Sequence, residues 1–269
     1  MIITPRDIWH TIEEIRRTAP LVHNITNYVV MNTTANALLA LGASPVMAHA
    51  EEEVRDMVSL ARALVINLGT LSPAWVASAF SAAEEAQKRG IPVVLDPVGA
   101  GATPYRTDTY RDLIRMHPPT IIRGNALEIM ALVADTGGTK GVDSTAAGHQ
   151  ALDAGRRLAG ECGSVVCISG ATDYIIRQTT VIRIRNGHPM MPRVTGLGCT
   201  ATALCGACAA VEPDGARAAA CAMAIMGIAG ELAAKDAAGP GSLQYRFIDA
   251  LYQLNESDTH RLMRGEEEE

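Results

Sequence analysis

The sequence predicts an α/β protein of three layers, with helices on both faces of a central, mostly parallel sheet. Short apolar, β-branched runs alternate with amphipathic or Ala-rich segments of helical length, which is the pattern of repeated βα units. Of the 269 residues 48% are hydrophobic and 19% charged, enough to bury a substantial core. No Gly/Ser/Pro-rich linker interrupts the pattern, so residues 1–269 read as a single domain, with 265–269 a frayed acidic tail.

In chain order, an amphipathic helix over 5–18 leads to a first strand at 21–23. Five further apolar runs, 45–47, 64–67, 92–96, 120–123 and 165–169, are of strand length. Between them lie helical segments at 28–41, 51–61, 73–89, 105–116, 126–133 and 146–159, which supply the crossovers that parallel strands need. Alternating residues over 174–177 and 181–185 predict a hairpin at the sheet edge, and helices follow at 199–211, 216–236 and 244–254. The strands end on Asn24, on Met47 and Ala48, on Asn67, on Asp96, on Arg123 with Asn125, and on Ser169 with Gly170. Parallel sheets bind ligands beyond the carboxyl ends of their strands, so these residues form one candidate rim. Turns also favour polar residues, which is the plain alternative at any one position.

Charge and cysteine usage narrow the function. With 29 Asp+Glu against 23 Lys+Arg, the net charge of -6 argues against a nucleic-acid partner. The six cysteines stand in apolar or Ala-rich runs without the spacing of a secreted scaffold, so a reducing cytoplasm fits best. The first seven residues lack the basic and apolar regions of a signal peptide. Two uncharged stretches, 18–50 and 63–83, are long enough to span a bilayer, but interrupting Asn, His, Pro and Gly residues read better as buried elements, with no membrane partner.

The chemistry concentrates late in the chain. Thr195-Gly196-Leu197-Gly198-Cys199-Thr200 precedes a small-residue helix, so its backbone N–H groups form an anion site at a helix start. Cys199 falls in the first turn, where the helix end is expected to lower a thiol pKa, suiting a base, a nucleophile or a hydrogen-bond donor; an inert buried cysteine is the alternative. Gly137-Gly138-Thr139-Lys140-Gly141 has the wrong spacing for a P-loop, and neither protein-kinase segments nor a dinucleotide fingerprint occur. Asp96, in Leu95-Asp96-Pro97-Val98-Gly99-Ala100-Gly101, suits Mg²⁺ held partly through water, or caps a turn before proline. Arg123-Gly124-Asn125-Ala126-Leu127-Glu128 sets a cation at a strand end and Asn and Glu three apart, a spacing that an ordinary capping box also produces.

In this order, these motifs resemble the ribokinase-like fold, and within it the hydroxyethylthiazole kinase family. The resemblance runs from about residue 21 to 260, carried by Val22-His23-Asn24-Ile25-Thr26-Asn27, Ser44-Pro45-Val46-Met47-Ala48, Ile66-Asn67-Leu68-Gly69-Thr70, the Asp96 loop, Arg123-Gly124-Asn125 and the late glycine turn, which ends in Cys where other branches of the fold carry Asp. It implies transfer of the γ-phosphoryl group of ATP to the primary alcohol of 4-methyl-5-(2-hydroxyethyl)thiazole, in thiamine salvage. By position, Met47 and Gly196 would bind the thiazole, Arg123 and Ser169 the ATP, and Asp96 and Glu128 the Mg²⁺, while Cys199 and Gly198 would serve the transfer itself. The family more often has Thr where this chain has Ser169, which keeps the hydroxyl. A homotrimer with the site between subunits is also implied. Rival readings are a kinase of another alcohol such as hydroxymethylpyrimidine, an ATP-dependent dehydratase or a nucleotide-binding regulator of the same fold, and a thiol-disulfide oxidoreductase using Cys205 and Cys208.

Overall fold

A computed structural model describes residues 3–134 and 144–268. Six parallel strands, β1 (Leu21–Ile25), β2 (Ser44–Val46), β3 (Ala63–Asn67), β4 (Val93–Asp96), β5 (Ile121–Asn125) and β6 (Val165–Ser169), continue into antiparallel β7 (Asp173–Arg177), β8 (Thr180–Ile184) and β9 (Gly265–Glu268). They form one sheet in the order β2-β1-β3-β4-β5-β6-β7-β8-β9. The mostly parallel sheet expected from the sequence is therefore present, with its hairpin at β7 and β8.

Strand periodicity sends alternate residues to opposite faces, and each face has its own core. Val22, Val65, Val94, Ile121 and Val165 pack with α1 (Pro5–Thr18), α2 (Met31–Leu41), α8 (Leu197–Ala209), α9 (Gly215–Ala234) and α10 (Pro240–Gln253). Leu64, Ile66, Leu95, Ile122 and Val166 pack with α3 (Val54–Leu60), α4 (Pro73–Arg89), α5 (Pro104–Met116), α6 (Ala126–Val133) and α7 (Ser144–Cys162). The central helix α8 is almost wholly buried because its residues are small; a Cβ on Gly206 would lie 2.6 Å from Val65 Cγ2 and 3.2 Å from Val22 Cγ1. The stretch 18–50 is broken into β1, α2 and β2, and 63–83 into β3 and part of α4. Helix α9 is long and apolar enough to cross a membrane, yet 83% of its apolar window is buried against neighbouring elements.

Three differences from the sequence reading have local causes. Helix α2 starts at Met31, not at residue 28, because Asn27 Oδ1 accepts the Val29 N–H and Asn27 O the Val30 N–H, holding a turn ahead of the helix. A short helix, α11 (Glu256–Leu262), was not expected; Asn255 caps it by accepting the Asp258 N–H. Residues 265–268 are not a frayed tail: they pair with β8, whose edge offers unpaired backbone groups, and Arg185 Nη1 holds Glu266 Oε1 at 2.9 Å. Residues 137–141, set aside above as no phosphate loop, lie outside the described residues.

Close packing of α8 on the sheet gives a direct test. Gly206→Val puts branched carbons where one Cβ already clashes, and we expect a loss of about 2 kcal/mol or more in urea unfolding. An unchanged midpoint would contradict this packing.

Candidate active site

The polar residues that end β3, β4, β5 and β6 do gather on one rim. Asn67 and Asp96 are register partners on β3 and β4, as are Asn125 and Ser169 on β5 and β6. The rim is wired together. Asp96 is buried, and its Oδ2 accepts from Asn67 Nδ2 at 2.9 Å and from Thr202 Oγ1 of α8 at 2.8 Å. Arg123 Nη1 stands 4.0 Å from the same oxygen, while Arg123 Nη2 donates to Ser169 Oγ at 2.5 Å. On the other side, Asn67 Oδ1 accepts from Asn27 Nδ2 at 2.9 Å, and Asn27 Nδ2 also approaches Cys199 Sγ at 3.7 Å.

Burial dominates the ionisation of this network. It pushes the Asp96 carboxyl up to about 6, against the opposing pull of the Arg123 charge. The expectation for Cys199 is reversed. It does lie in the first turn of α8, but burial and then the Asp96 charge push its thiol up to about 11, outweighing the helix end, so it stays protonated at neutral pH. Cys205 and Cys208 are both buried inside α8; burial pushes Cys205 up to about 12 and Cys208 well above the usual thiol range, which removes the thiolate a redox pair requires.

The glycine turn takes the form its residues dictate. Gly196 caps α8 at φ +84°, and a Cβ there would lie 2.7 Å from Val30 Cγ1. A Cβ on Gly198 would come within 3.0 Å of Arg123 Nη1, so its absence lets the guanidinium lie against the helix start. Thr200 N–H is the first in this stretch to bond back, to Gly196 O, which leaves the N–H groups of Leu197, Gly198 and Cys199 at the open end. This end, Arg123 and Ser169 border a cavity of about 790 Å³ whose apolar wall includes Val194, Met223 and Met226.

Four of the eight expected site residues, Arg123, Ser169, Gly196 and Gly198, line that cavity. Asp96 joins them through Arg123, and Cys199 through Asn27 and Asn67. Glu128 does form a capping box with Asn125, and its other oxygen accepts the Gly99 N–H at 2.9 Å, tying the Asp96 loop to the start of α6. Met47 stands apart: it follows β2 at the sheet edge and is not among the cavity residues. Its loop is anchored by His23, buried in β1, whose Nε2 lies 2.6 Å from Ala48 O. Sequence reading assigned no role to Thr202 or Asp173. Thr202 is a polar residue in an apolar helix three positions after Cys199, a spacing that puts both on one face. Asp173 is a buried acid opening an apolar strand, lining the cavity and accepting the Gly170 N–H at 3.0 Å.

Comparison with known proteins gives matches over nearly the whole chain. The model of the hydroxyethylthiazole kinase family matches residues 12–257. A hydroxyethylthiazole kinase of Syntrophus aciditrophicus is 62% identical over 265 residues, 98% of each chain, and one of Leptospira biflexa is 56% identical over 244 residues, 91% of each. The solved hydroxyethylthiazole kinase of Pyrococcus horikoshii superposes with a TM-score of 0.90 at 42% identity, covering 98% of this chain and 100% of that one. Pyridoxal kinase of Staphylococcus aureus, at 14% identity and a TM-score of 0.66 over 93% of this chain and 98% of its own, shares the ribokinase-like fold.

Asp173 supplies a pH test of the cavity wall. Burial raises its carboxyl to about 7, so the folded chain binds more protons than the unfolded one between about pH 4 and 7. Stability from this group therefore falls as pH rises through that window. Asp173→Asn, which keeps an acceptor for Gly170, should gain on the parent protein across the same window, by no more than about 4 kcal/mol. A difference in urea midpoints that is flat with pH would remove the carboxylate from this role.

Proposed function

The chain belongs to the hydroxyethylthiazole kinase family, and on that premise we propose that it transfers the γ-phosphoryl group of ATP to the hydroxyl of 4-methyl-5-(2-hydroxyethyl)thiazole, in thiamine salvage. The observation that carries the reading is the placement of a buried arginine against an open helix start at the mouth of one cavity. Arg123 is 9% exposed and its buried Nε has no hydrogen-bond partner, which fits a guanidinium awaiting an anion. The phosphates of ATP would meet Arg123, the Ser169 hydroxyl and the N–H groups of Leu197, Gly198 and Cys199, and the adenine the apolar wall at Met223 and Met226.

A divalent ion fits this site through water. Among the described residues no three His, Cys, Asp or Glu side chains come together as a metal cage. Asp96 Oδ2 already accepts two hydrogen bonds, and both Glu128 oxygens accept backbone N–H groups. Mg²⁺ held mainly by phosphate oxygens and its own waters, with Asp96 and Glu128 as outer partners, suits such a donor set. When bound it neutralises charge on the phosphates.

Phosphoryl transfer through a loose transition state needs in-line placement and neutralised oxygens more than an early proton transfer. A protonated Cys199 meets that need by hydrogen-bonding the acceptor hydroxyl, whose own proton passes late to an oxygen of the incoming phosphoryl group. Met47 lies outside the cavity on an edge loop, close in sequence to the edge strand β2, and Tyr28 and Val29 near the rim are 69% and 63% exposed. A homotrimer that builds the thiazole pocket from Met47 and Gly196 at a subunit boundary gives these residues a use. The six free cysteines suit a reducing cytoplasm.

Mass spectrometry of the product tests the reaction. Thiazole phosphate should form with Mg·ATP, and hydroxymethylpyrimidine should give little; the reverse preference would overturn the acceptor, and no product from either would overturn the kinase. Cys199→Ala should lower kcat by about 10- to 100-fold. Light scattering should return three times the chain mass, and a monomer that turns over would remove the shared pocket.

A further inference from the structure

We propose that Asn67 and Asn27 form a one-way hydrogen-bond relay from Asp96 that turns the Cys199 S–H toward the acceptor alcohol, making both asparagines positioning residues. The inference rests on the thiazole-kinase reading for the identity of that alcohol, and on the structure for the relay.

Direction enters at Asp96. As a carboxylate, Asp96 Oδ2 accepts, so the Asn67 side chain presents its NH₂ there, at 2.9 Å. The Asn67 carbonyl must then face the other way, where it accepts from Asn27 Nδ2 at 2.9 Å and from Gly69 N at 3.2 Å. Asn27 is fixed in turn, since its Oδ1 accepts the Val29 N–H at 3.1 Å, and the same Nδ2 that meets Asn67 points at Cys199 Sγ, 3.7 Å away. Both amides are thus locked at each end. The sulfur faces amide hydrogens of both Asn27 and Asn67, so its own single proton is directed elsewhere. Cys199 is half-buried, next to Gly198, which lines the cavity. A thiol set this way donates to an oxygen placed there.

Gly69 makes room for the relay. A Cβ on Gly69 would lie 2.7 Å from Asn27 Nδ2 and 2.9 Å from Asn27 Cγ, so the amide occupies the space that any other residue would fill. The amide can therefore be displaced from Gly69, a position with no side chain of its own in the network.

The test is a double-mutant cycle with an infrared readout. Asn27→Asp keeps the shape but offers only acceptors, so the thiol proton should turn onto the new carboxylate. Gly69→Ala displaces the amide without adding charge and serves if Asn27→Asp does not fold. Each should lower kcat for the thiazole about tenfold or more while KM for ATP stays within about twofold, and neither should lower kcat further in the Cys199→Ala background. Losses that simply add to that of Cys199→Ala would overturn the relay in favour of a scaffold role. Independently of turnover, the S–H stretching band that disappears in Cys199→Ala should move to lower frequency in Asn27→Asp and shift in Gly69→Ala. An unmoved band in a folded variant sinks the relay even if the enzyme is active. A parent protein that shows no thiazole turnover sinks the kinase reading instead, and the band still decides the relay.

Discussion

A carboxylate removed from water has to be met by donors, and Asp96 at the tip of β4 imposes that requirement on everything around it. Its partners come from three other elements: Asn67 from β3, Arg123 from β5 and Thr202 from α8. Breaking one partner of such a buried set costs several kcal/mol, so the tips of the strands and the start of α8 hold one arrangement. Because Thr202 is fixed in this way, so is the helix turn before it, which carries Gly198 and Cys199. A group expensive to bury therefore orders the glycine turn and the thiol together.

The same burial shows how a chain of net charge -6 can still present local positive potential. The useful positive potential is local, from Arg123 and unpaired N–H groups, and works in a poorly hydrated setting where it is stronger than on an open surface. Burial holds two neighbours toward their neutral forms, which limits the competing negative charge: Asp173 is pushed up to about 7 and Cys199 to about 11.

What the sequence made legible follows the range of the interaction. Strand and helix identity are set by local apolar periodicity, so the rim of Asn67, Asp96, Arg123 and Ser169 was readable before any coordinates. The glycine turn was readable because Gly196 and Gly198 answer a backbone need. Hidden were features settled by distant partners. The Cys199 thiol looked activated by its helix end, and only packing near Asp96 reveals the opposite. Thr202 and Asn27 gain meaning from groups 106 and 172 residues away. The strand at 265–268 depends on an edge offered by β8, which acidic composition does not announce.

Those long separations carry a consequence for how the molecule matures. The contacts that complete the rim close loops of 29, 40, 106 and 172 residues, so the network cannot form within any one βα unit. Contacts of this kind are slow to establish, because chain entropy is lost before the enthalpy of pairing is gained. A partly folded chain can possess most of its helices and both cores and still lack the site. A ligand that binds only the completed rim then draws the last step of folding forward by mass action.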